Sequence, residues 1–237
     1  MITAFDTIIL AGGVGSRLRS VVSDRPKCLA TINGRPFLSY LLDRLARAGA
    51  NEVILSTGYM AEQVEGAFGH QHGPLALRYS REETPLGTGG GAKQALPLCK
   101  HDYVLIINGD SFFDFDWLDF FAWFEPATMR LGMVLARIEN SRRYGQVIAD
   151  ADGKVLRFQE KNEAAGPGWI NAGVYLTEKS ALAGFSSDGP FSLERDFFPA
   201  QIGHGFFARG YQGRFIDIGT PESYAAAGEF FAVMNPP

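Results

Sequence analysis

Cysteine is scarce in this sequence, with only Cys28 and Cys99 among 237 residues. Neither belongs to a CxxC pair, and neither lies near a cluster of histidines. This excludes a disulfide framework and gives no support for a zinc site built on thiolates. We interpret both side chains as buried free thiols, which suits a protein that works in the reducing cytoplasm.

An excess of positive charge is also missing. The sequence has 22 Lys and Arg residues against 26 Asp and Glu residues, and its formal net charge is −4. A nucleic-acid partner is therefore not expected, because proteins that bind DNA or RNA carry a basic patch. An anionic substrate would have to be held by a few local cations and by backbone N–H groups.

Long apolar runs are missing as well. The first run, residues 7–10, is too short for a signal peptide, has no basic leader and follows Asp6. No stretch approaches the ~20 apolar residues that a membrane helix needs. We therefore expect no membrane partner and a cytoplasmic location.

The first half of the sequence alternates between strand and helix patterns. Short apolar runs predict buried strands over residues 7–11, 52–56, 75–80 and 103–107. Apolar residues at helical spacing and a glycine-rich turn predict helices over residues 16–22, 36–48, 61–68 and 87–98. This repetition predicts an α/β protein whose parallel sheet carries helices on both faces.

The second half, after Asp110, has a different pattern. Asp152-Gly153 between two strand-like segments is a strong hairpin signal. The predicted elements are a helix over 116–124 and strands over 133–138, 144–150, 154–160 and 170–176. This half is expected to be antiparallel or mixed and to extend the same sheet. No linker or repeat interrupts residues 1–237, so we predict a single domain.

A glycine-rich loop follows the first predicted strand and reads Leu10-Ala11-Gly12-Gly13-Val14-Gly15-Ser16-Arg17-Leu18. Glycines let the backbone approach a ligand, and successive N–H groups at a helix N-terminus bind anions. Arg17 adds a positive charge that suits phosphate oxygens. The loop therefore predicts a phosphate site, although a tight turn without a ligand is the simpler alternative for the loop alone.

Two other classes of glycine loop fit less well. No Gly-Lys-Ser/Thr ends this loop, so it is not a P-loop. Leu18 stands where a dinucleotide-binding fingerprint needs its third glycine, which disfavours a dinucleotide-dependent oxidoreductase.

Lys27 follows Pro26, which stiffens the backbone and favours an extended conformation at Arg25. Lys27 is therefore able to point back at the same phosphates, although a lysine taken alone is more often a solvated charge.

The histidines offer no Ser/His/Asp or Cys/His set, and we interpret all of them as surface residues: His70, His72, His101 and His204.

The order of these motifs resembles the signature of the sugar-1-phosphate nucleotidyltransferases. The glycine loop is followed, nine positions after Leu18, by the lysine of Arg-Pro-Lys. Four further stretches match in order: Pro85-Leu86-Gly87-Thr88-Gly89-Gly90, Asn108-Gly109-Asp110, Glu160-Lys161, and Phe-Ile-Asp-Ile-Gly-Thr-Pro-Glu at 215–222. One such match would be a weak signal, whereas five in order over essentially the whole chain are a strong one.

The resemblance implies a three-layer, Rossmann-like (GT-A-like) fold with a central mixed, mostly parallel sheet. It implies that the N-terminal half, about 1–110, binds the nucleotide and the C-terminal half, about 111–237, binds the sugar phosphate. The implied reaction joins an NTP and a sugar 1-phosphate into an NDP-sugar with release of pyrophosphate. It needs no general base, because the sugar phosphate is already an anion near neutral pH.

Within the family, the chain is most similar to the heptose 1-phosphate guanylyltransferases, which implies GTP and D-glycero-D-manno-heptose 1-phosphate as substrates. Mannose-1-phosphate guanylyltransferases and N-acetylmuramate-1-phosphate uridylyltransferases share several of the motifs and stay as alternatives. Many members form dimers, so a homo-oligomer fits the resemblance, but no residue pattern selects one.

The resemblance also assigns roles to residues on the nucleotide side. Arg17 and Lys27 would hold the triphosphate and, with Asp110, carry the catalysis. A carboxylate at Glu82 could accept hydrogen bonds from guanine N1–H and the exocyclic amine, whereas uracil offers only one such donor. The implied nucleotide-binding residues are Leu10, Ala11, Gly12, Gly13, Gly15, Ser16, Arg17, Lys27, Glu82, Pro85, Gly87 and Thr88.

On the other side, the resemblance implies that Asp110 and Asp217 bind Mg²⁺, a cation that prefers carboxylate and phosphate oxygens. Lys161 would pair with the sugar phosphate. The residues implied to bind the sugar phosphate are Asn108, Gly109, Tyr144, Gly145, Glu160, Lys161 and Asn171. A non-catalytic module that binds nucleotide sugars is the alternative from another class, and retention of both acids with Arg17 and Lys27 disfavours it.

Overall fold

The computed structural model describes residues 4–159, 166–187 and 189–234. Its strands are β1 (Asp6–Leu10), β2 (Thr31–Ile32), β3 (Arg35–Pro36), β4 (Glu52–Thr57), β5 (Gln71–His72), β6 (Leu75–Arg81), β7 (Tyr103–Asn108), β8 (Ser111–Phe113), β9 (Leu131–Ile138), β10 (Gln146–Ala149), β11 (Val155–Gln159), β12 (Gly168–Glu178), β13 (Phe206–Tyr211) and β14 (Phe215–Asp217). Its α-helices are α1 (Phe37–Arg47), α2 (Ala61–Phe68), α3 (Gly87–Ala95), α4 (Trp117–Trp123), α5 (Lys179–Ala183), α6 (Phe198–Gln201) and α7 (Pro221–Met234). Within these residues, no helix is both long and apolar enough to cross a bilayer.

Ten strands form one sheet with the main order β11-β10-β12-β7-β1-β4-β6-β5, and β9 and β13 continue from β12. Within it, β7, β1, β4 and β6 are parallel neighbours. Of the ten strands, β5, β11 and β12 run against the direction of the others. The predicted α/β fold with a mixed, mostly parallel sheet is therefore confirmed, and both halves of the chain contribute to it.

The sheet is buried on both faces, as its apolar strands predict. Alternate residues of β1 point to opposite sides: Ile9 packs with α1, α2 and α7, whereas Ile8 packs with α3 and α5. Both isoleucines have no exposed surface. Fully burying one such side chain stabilises the fold by about 1.5–3 kcal/mol. The central strands thus form a rigid platform, and the loops at their ends carry the polar groups.

Most predicted elements agree with the structure to within a few residues, including the hairpin of β10 and β11. The helix predicted over 16–22 is wrong, because residues 16–21 form consecutive turns. Its hydrogen bonds are those of single turns, such as Leu18 N–H to Gly15 O (2.9 Å) and Val22 N–H to Leu18 O (2.9 Å), and a segment this short does not propagate a helix.

Both cysteines are buried, as predicted. Burial raises the pKa of each thiol to about 12, so neither is a thiolate near neutral pH.

Candidate active site

Four parallel strands, β1, β4, β6 and β7, end at the same edge of the sheet. The loops that follow them are joined by backbone hydrogen bonds: Ala11 N–H donates to Ser56 O at 2.7 Å, and Gly109 N–H donates to Leu10 O at 2.9 Å. Ligands of open α/β sheets bind at this edge, beyond the carboxyl ends of the strands. The glycine loop and the Asn108-Gly109-Asp110 turn are thereby held side by side.

A cavity of about 450 Å³ opens at this edge. All residues predicted to bind nucleotide line it, together with the predicted residues Asn108, Gly109 and Asp110. Residues that line it without having been predicted are Val14, Cys28, Glu194 and Gly219. Its size suits a small ligand, since such pockets range over about 300–1,000 Å³.

The glycine loop lines the cavity as an irregular loop and not as the start of a helix. Gly15 has φ +62°, a conformation that glycine adopts without strain. Within the described residues, the backbone N–H groups of residues 13–16 have no hydrogen-bond acceptor. The predicted anion site would therefore depend on loop N–H groups and side-chain cations, because no helix N-terminus follows the loop directly.

Lys27 and Asp110 form an ion pair in the cavity, with 2.6 Å between Lys27 Nζ and Asp110 Oδ2. The lysine side chain is only 12% exposed, whereas the aspartate side chain is 45% exposed. Lys27 is thus a fixed cation on the cavity wall and not the solvated surface charge that a lone lysine would suggest. Its ammonium group carries three donors, so two stay available for a second anion.

Asp217 reaches the same place from the far end of the sequence. Strand β14 pairs with β8, so that Asp217 lies opposite Ser111. The next residue, Ile218, donates its N–H to Asp110 O at 2.9 Å. The structure therefore brings together the two acids that were predicted to share a metal ion.

Gly219 shows how closely the charged groups converge. A Cβ atom at this position would lie 2.6 Å from Asp217 Oδ1 and 3.3 Å from Lys27 Nζ. The same point lies 3.7 Å from Arg17 Nη2. Two cations and one acid thus surround a space that only glycine leaves open.

Tyr144 contacts this acid directly. Its hydroxyl donates to Asp217 Oδ2, and the other carboxylate oxygen accepts the Gly219 N–H at 2.8 Å. Burial, and then the adjacent Asp217 carboxylate, raise the pKa of the Tyr144 hydroxyl, which keeps it protonated as a donor. Both residues line a second cavity of about 360 Å³, and neither is among the described residues that line the first. Tyr144, predicted on the sugar side, therefore lies against the acid that was predicted to bind metal.

Glu82 lies at the end of β6, between the glycine loop and α3. A Cβ atom at Gly12 would lie 2.8 Å from Glu82 Oε1, and one at Gly91 would lie 2.5 Å from it. Glu82 Oε2 accepts the Leu86 N–H at 2.9 Å. Burial raises the pKa of this carboxyl, partly opposed by the hydrogen bonds from Leu86 and Ser56. The carboxylate is thus held in a fixed position on the cavity wall.

The other residues predicted on the sugar side are placed less directly. The Asn171 side chain donates to Tyr175 Oη at 2.8 Å and accepts the Gly173 N–H at 2.8 Å, so it supports the irregular segment of β12. Gly145 is exposed in the loop before β10 and lines neither of the two cavities. Glu160 and Lys161 lie outside the described residues.

The sequence prediction missed four residues that line the cavity, and Glu194 is the charged one among them. It lies in a single π-helical turn, Leu193–Phe197, that follows Ser192. Ser192-Leu193-Glu194 resembles an ordinary helix start in the sequence. The one available signal was an acid two residues after a serine, which carries no information about the cavity.

Comparisons with known proteins agree with this geometry. The profile of the family described as "Nucleotidyl transferase" matches residues 6–232. A D-glycero-alpha-D-manno-heptose 1-phosphate guanylyltransferase from Aneurinibacillus thermoaerophilus is 40% identical over 226 residues, which cover 94% of this chain and 96% of the relative. A mannose-1-phosphate guanylyltransferase from Mycobacterium tuberculosis is 33% identical, with 92% of this chain and 62% of the relative covered.

The fold is also found among solved structures. The crystal structure of HddC from Yersinia pseudotuberculosis complexed with GMP-PN superposes with a TM-score of 0.85 at 34% identity, covering 96% of this chain and 100% of that chain. A putative glucose-1-phosphate thymidylyltransferase from Bacillus anthracis gives a TM-score of 0.85 at 19% identity, covering 99% of this chain and 98% of that chain, a likeness of fold alone.

Proposed function

Because the chain belongs to the nucleotidyl transferase family, we propose that it joins a nucleoside triphosphate and a sugar 1-phosphate into an NDP-sugar and releases pyrophosphate. The observation that carries this proposal is the ion pair of Lys27 and Asp110 in the main cavity, with Asp217 brought beside it through Gly219 and through the hydrogen bond from Ile218 N–H to Asp110 O. Two acids and a buried cation at a glycine loop suit phosphate chemistry better than they suit a structural role.

The proposed substrates are GTP and D-glycero-D-manno-heptose 1-phosphate. The guanylyltransferase relatives and the GMP-PN complex of HddC support a guanine nucleotide. Glu82 supports it chemically, since a half-buried carboxylate can accept from two neighbouring guanine donors. The heptose is supported by the relatives of similar length, whose names specify that sugar.

In the proposed reaction, a phosphate oxygen of the sugar 1-phosphate attacks the α-phosphorus of the triphosphate. A new oxygen–phosphorus bond forms, the bond from the α-phosphorus to the bridging oxygen breaks, and pyrophosphate leaves with that electron pair. Arg17 and Lys27 orient the triphosphate and stabilise the negative charge on the departing group. No proton has to be removed, in keeping with the absence of a histidine from the residues that line the cavity.

Asp110 and Asp217 are the residues that would hold a divalent ion, which we propose to be Mg²⁺. The donor set fits, because Mg²⁺ is commonly bound by one or two carboxylates plus substrate phosphates. Over the described ranges, no group of three or more His, Cys, Asp or Glu side chains gathers, so these two carboxylates would depend on substrate phosphates for further ligands. When bound, the ion neutralises phosphate charge as a Lewis acid.

A matrix of nucleotides and sugar phosphates tests the proposed function. Purified protein is mixed with GTP, UTP, CTP or dTTP and with heptose or mannose 1-phosphate, and pyrophosphate release is measured with and without Mg²⁺. We expect the highest kcat/KM for GTP with the heptose substrate and no release without a divalent ion. A protein that binds nucleotide but releases no pyrophosphate with any pair would be the non-catalytic binding module instead.

The Glu82→Gln variant tests the proposed contact with the base. Gln keeps the shape but offers an amide donor where guanine needs an acceptor, so we expect kcat/KM for GTP to fall about 10- to 100-fold. The value for UTP should change much less, and competition between GTP and UTP measures the difference.

The preference for GTP should also depend on pH. Burial raises the pKa of the Glu82 carboxyl, so this group becomes protonated at a higher pH than an exposed glutamate does. As the pH is lowered, the preference for GTP should therefore weaken at that higher pH.

Glu83→Gln is the matched control for this variant. Glu83 is the exposed neighbour of Glu82 and does not line the cavity. Glu83→Gln removes the same charge outside the cavity, so it should leave the preference for GTP over UTP unaltered. An equal loss for GTP and UTP in Glu82→Gln would assign Glu82 a structural role in place of base recognition.

A further inference from the structure

One wall of the main cavity comes from the segment Phe191–Phe197, far in sequence from the nucleotide loops. Phe191 O accepts the Gly89 N–H of α3 at 2.9 Å, and Phe191 N–H donates to Leu86 O at 2.9 Å. The Ser192 side chain caps the following turn by accepting the Glu194 N–H. The backbone of this segment is therefore fixed against the first turn of α3, and Glu194 cannot drift from the cavity with a mobile loop.

The Glu194 carboxylate is oriented by two hydroxyl groups. Glu194 Oε2 accepts from Thr88 at 2.8 Å and from Ser192 at 2.7 Å. Thr88 Oγ1 accepts the Leu193 N–H at 2.9 Å, which directs the hydroxyl proton of Thr88 towards Glu194. Both donors use the same carboxylate oxygen. In the ranges that the structure describes, Oε1 meets no donor and Glu194 meets no cation.

A carboxylate oxygen that faces the cavity in this way can accept a hydrogen bond from a ligand. Phosphate groups are unsuitable, because two anions without an intervening cation repel each other. Arg17 and Lys27 attract the phosphates, and neither of them pairs with Glu194. The remaining donors of a nucleotide and a sugar phosphate are the N–H groups of the base, which Glu82 is proposed to bind, and the hydroxyl groups. Glu194 therefore suits hydroxyl recognition.

The surroundings agree with this assignment. The negative charge of Glu194 acts on the buried Tyr175 hydroxyl, whose pKa is raised first by burial and then by this charge. That hydroxyl accepts from Asn171 at 2.8 Å and from Asn108 at 3.5 Å. Glu194 thus contacts Thr88 and acts on a hydroxyl that neutral amides surround, and among the described residues no cation pairs with it.

We propose that Glu194 is a specificity-determining residue that accepts hydrogen bonds from substrate hydroxyl groups, either on the ribose or on the sugar 1-phosphate. The inference depends on the proposed function, because it needs both substrates in this cavity. It adds to that function a residue that selects for hydroxylated substrates at a defined point of the wall.

The test compares hydroxylated and deoxy substrates in wild type and Glu194→Gln. One arm uses GTP against 2′-deoxy-GTP and 3′-deoxy-GTP, and the other uses mannose 1-phosphate against its single-deoxy analogues. We expect wild type to prefer one parent substrate over a deoxy analogue by about 10- to 100-fold, as for a hydrogen bond to a charged group. Glu194→Gln should lose most of that preference, and the arm in which it is lost identifies the hydroxyl.

The ratio of kcat/KM values separates recognition from structure. A merely structural role would lower the values for parent and deoxy substrates equally and leave the ratio unchanged, which would overturn the proposal. Glu65→Gln, an exposed glutamate on α2 outside both cavities, is the control and should keep the wild-type ratio. Glu194→Asp is a second variant, which keeps the charge but withdraws it by one methylene and should also reduce the ratio.

Wild type alone provides a further check. If it releases pyrophosphate but discriminates against no deoxy analogue in either arm, the inference about Glu194 is wrong while the proposed function stands. If it releases pyrophosphate with no substrate pair, the proposed function itself is wrong.

Discussion

The Asp110→Asn variant is expected to keep its fold and to lose at least about 100-fold in kcat, because removing a metal ligand forfeits several kcal/mol of charge stabilisation at the phosphates. Asp110 is nearly half exposed, so its side chain contributes little to the core. We expect Asp217→Asn to behave similarly. Steady-state kinetics over a range of Mg²⁺ concentrations, together with thermal unfolding, would measure both effects.

The double variant sharpens this prediction. If both acids hold one ion, either single substitution already removes most of the rate enhancement that the ion provides. The fold loss in kcat of the double variant should then be much smaller than the product of the fold losses in the two single variants. Asp102→Asn is the matched control, since Asp102 is exposed and precedes β7 whereas Asp110 follows it. Near-normal turnover in both single variants would exclude the pair as metal ligands.

The second large effect is expected for Lys27→Met, which should lower kcat/KM by about 100- to 1,000-fold. This is the usual cost of removing one fixed donor to charge that develops in the transition state. Lys27 Nζ is held 2.6 Å from Asp110 Oδ2 on the wall of the cavity that contains the proposed phosphate site. Methionine preserves the length of the side chain and removes only the charge and its donors.

Lys100→Met is the control for Lys27→Met. The Lys100 side chain is 65% exposed and pairs with Glu52, away from the main cavity. We expect wild-type kinetics from this control and a melting temperature close to wild type for both variants. A loss of less than about threefold in Lys27→Met would show that Lys27 serves mainly to position Asp110, since a transition-state donor contributes far more than that.

The sequence predicts the sheet better than it predicts the loops. Buried strands such as β4 are continuous apolar runs, and their pattern follows from burial on both faces. The hairpin at Gly153, where φ is +84°, follows from the local needs of a tight turn. The strands and the hairpin turn depend on residues that are close together in the sequence, so they can be predicted from the sequence alone.

The wrong helix over 16–22 has a physical cause. Its serine and arginine positions match a helix start, but Leu18 turns inward and is 1% exposed, so tertiary packing takes over the segment. Nucleation of a short helix is unfavourable, and such packing easily prevails. Local preference therefore misled the prediction in a segment whose backbone conformation is set by tertiary packing.

The residues that line the cavity were predicted in part, from the glycine-loop pattern and from the family resemblance. The meeting of Asp110 and Asp217 depends on the pairing of β8 with β14, which no local pattern reveals. Glu194 was missed for the same reason: its place follows from the docking of Phe191 on Gly89, a long-range contact. Residues that the family motifs contain were found, and a residue positioned only by tertiary contacts was not.

The pairing of β8 with β14 has a consequence for biosynthesis. On the ribosome, the segments that supply the glycine loop, Lys27 and Asp110 emerge early, and their parallel strands can begin to assemble. Asp217 emerges about a hundred residues later, shortly before α7. A nascent chain therefore passes through a long interval in which the glycine loop, Lys27 and Asp110 have been made without Asp217, and the proposed two-acid site can be completed only after β14 has been synthesised.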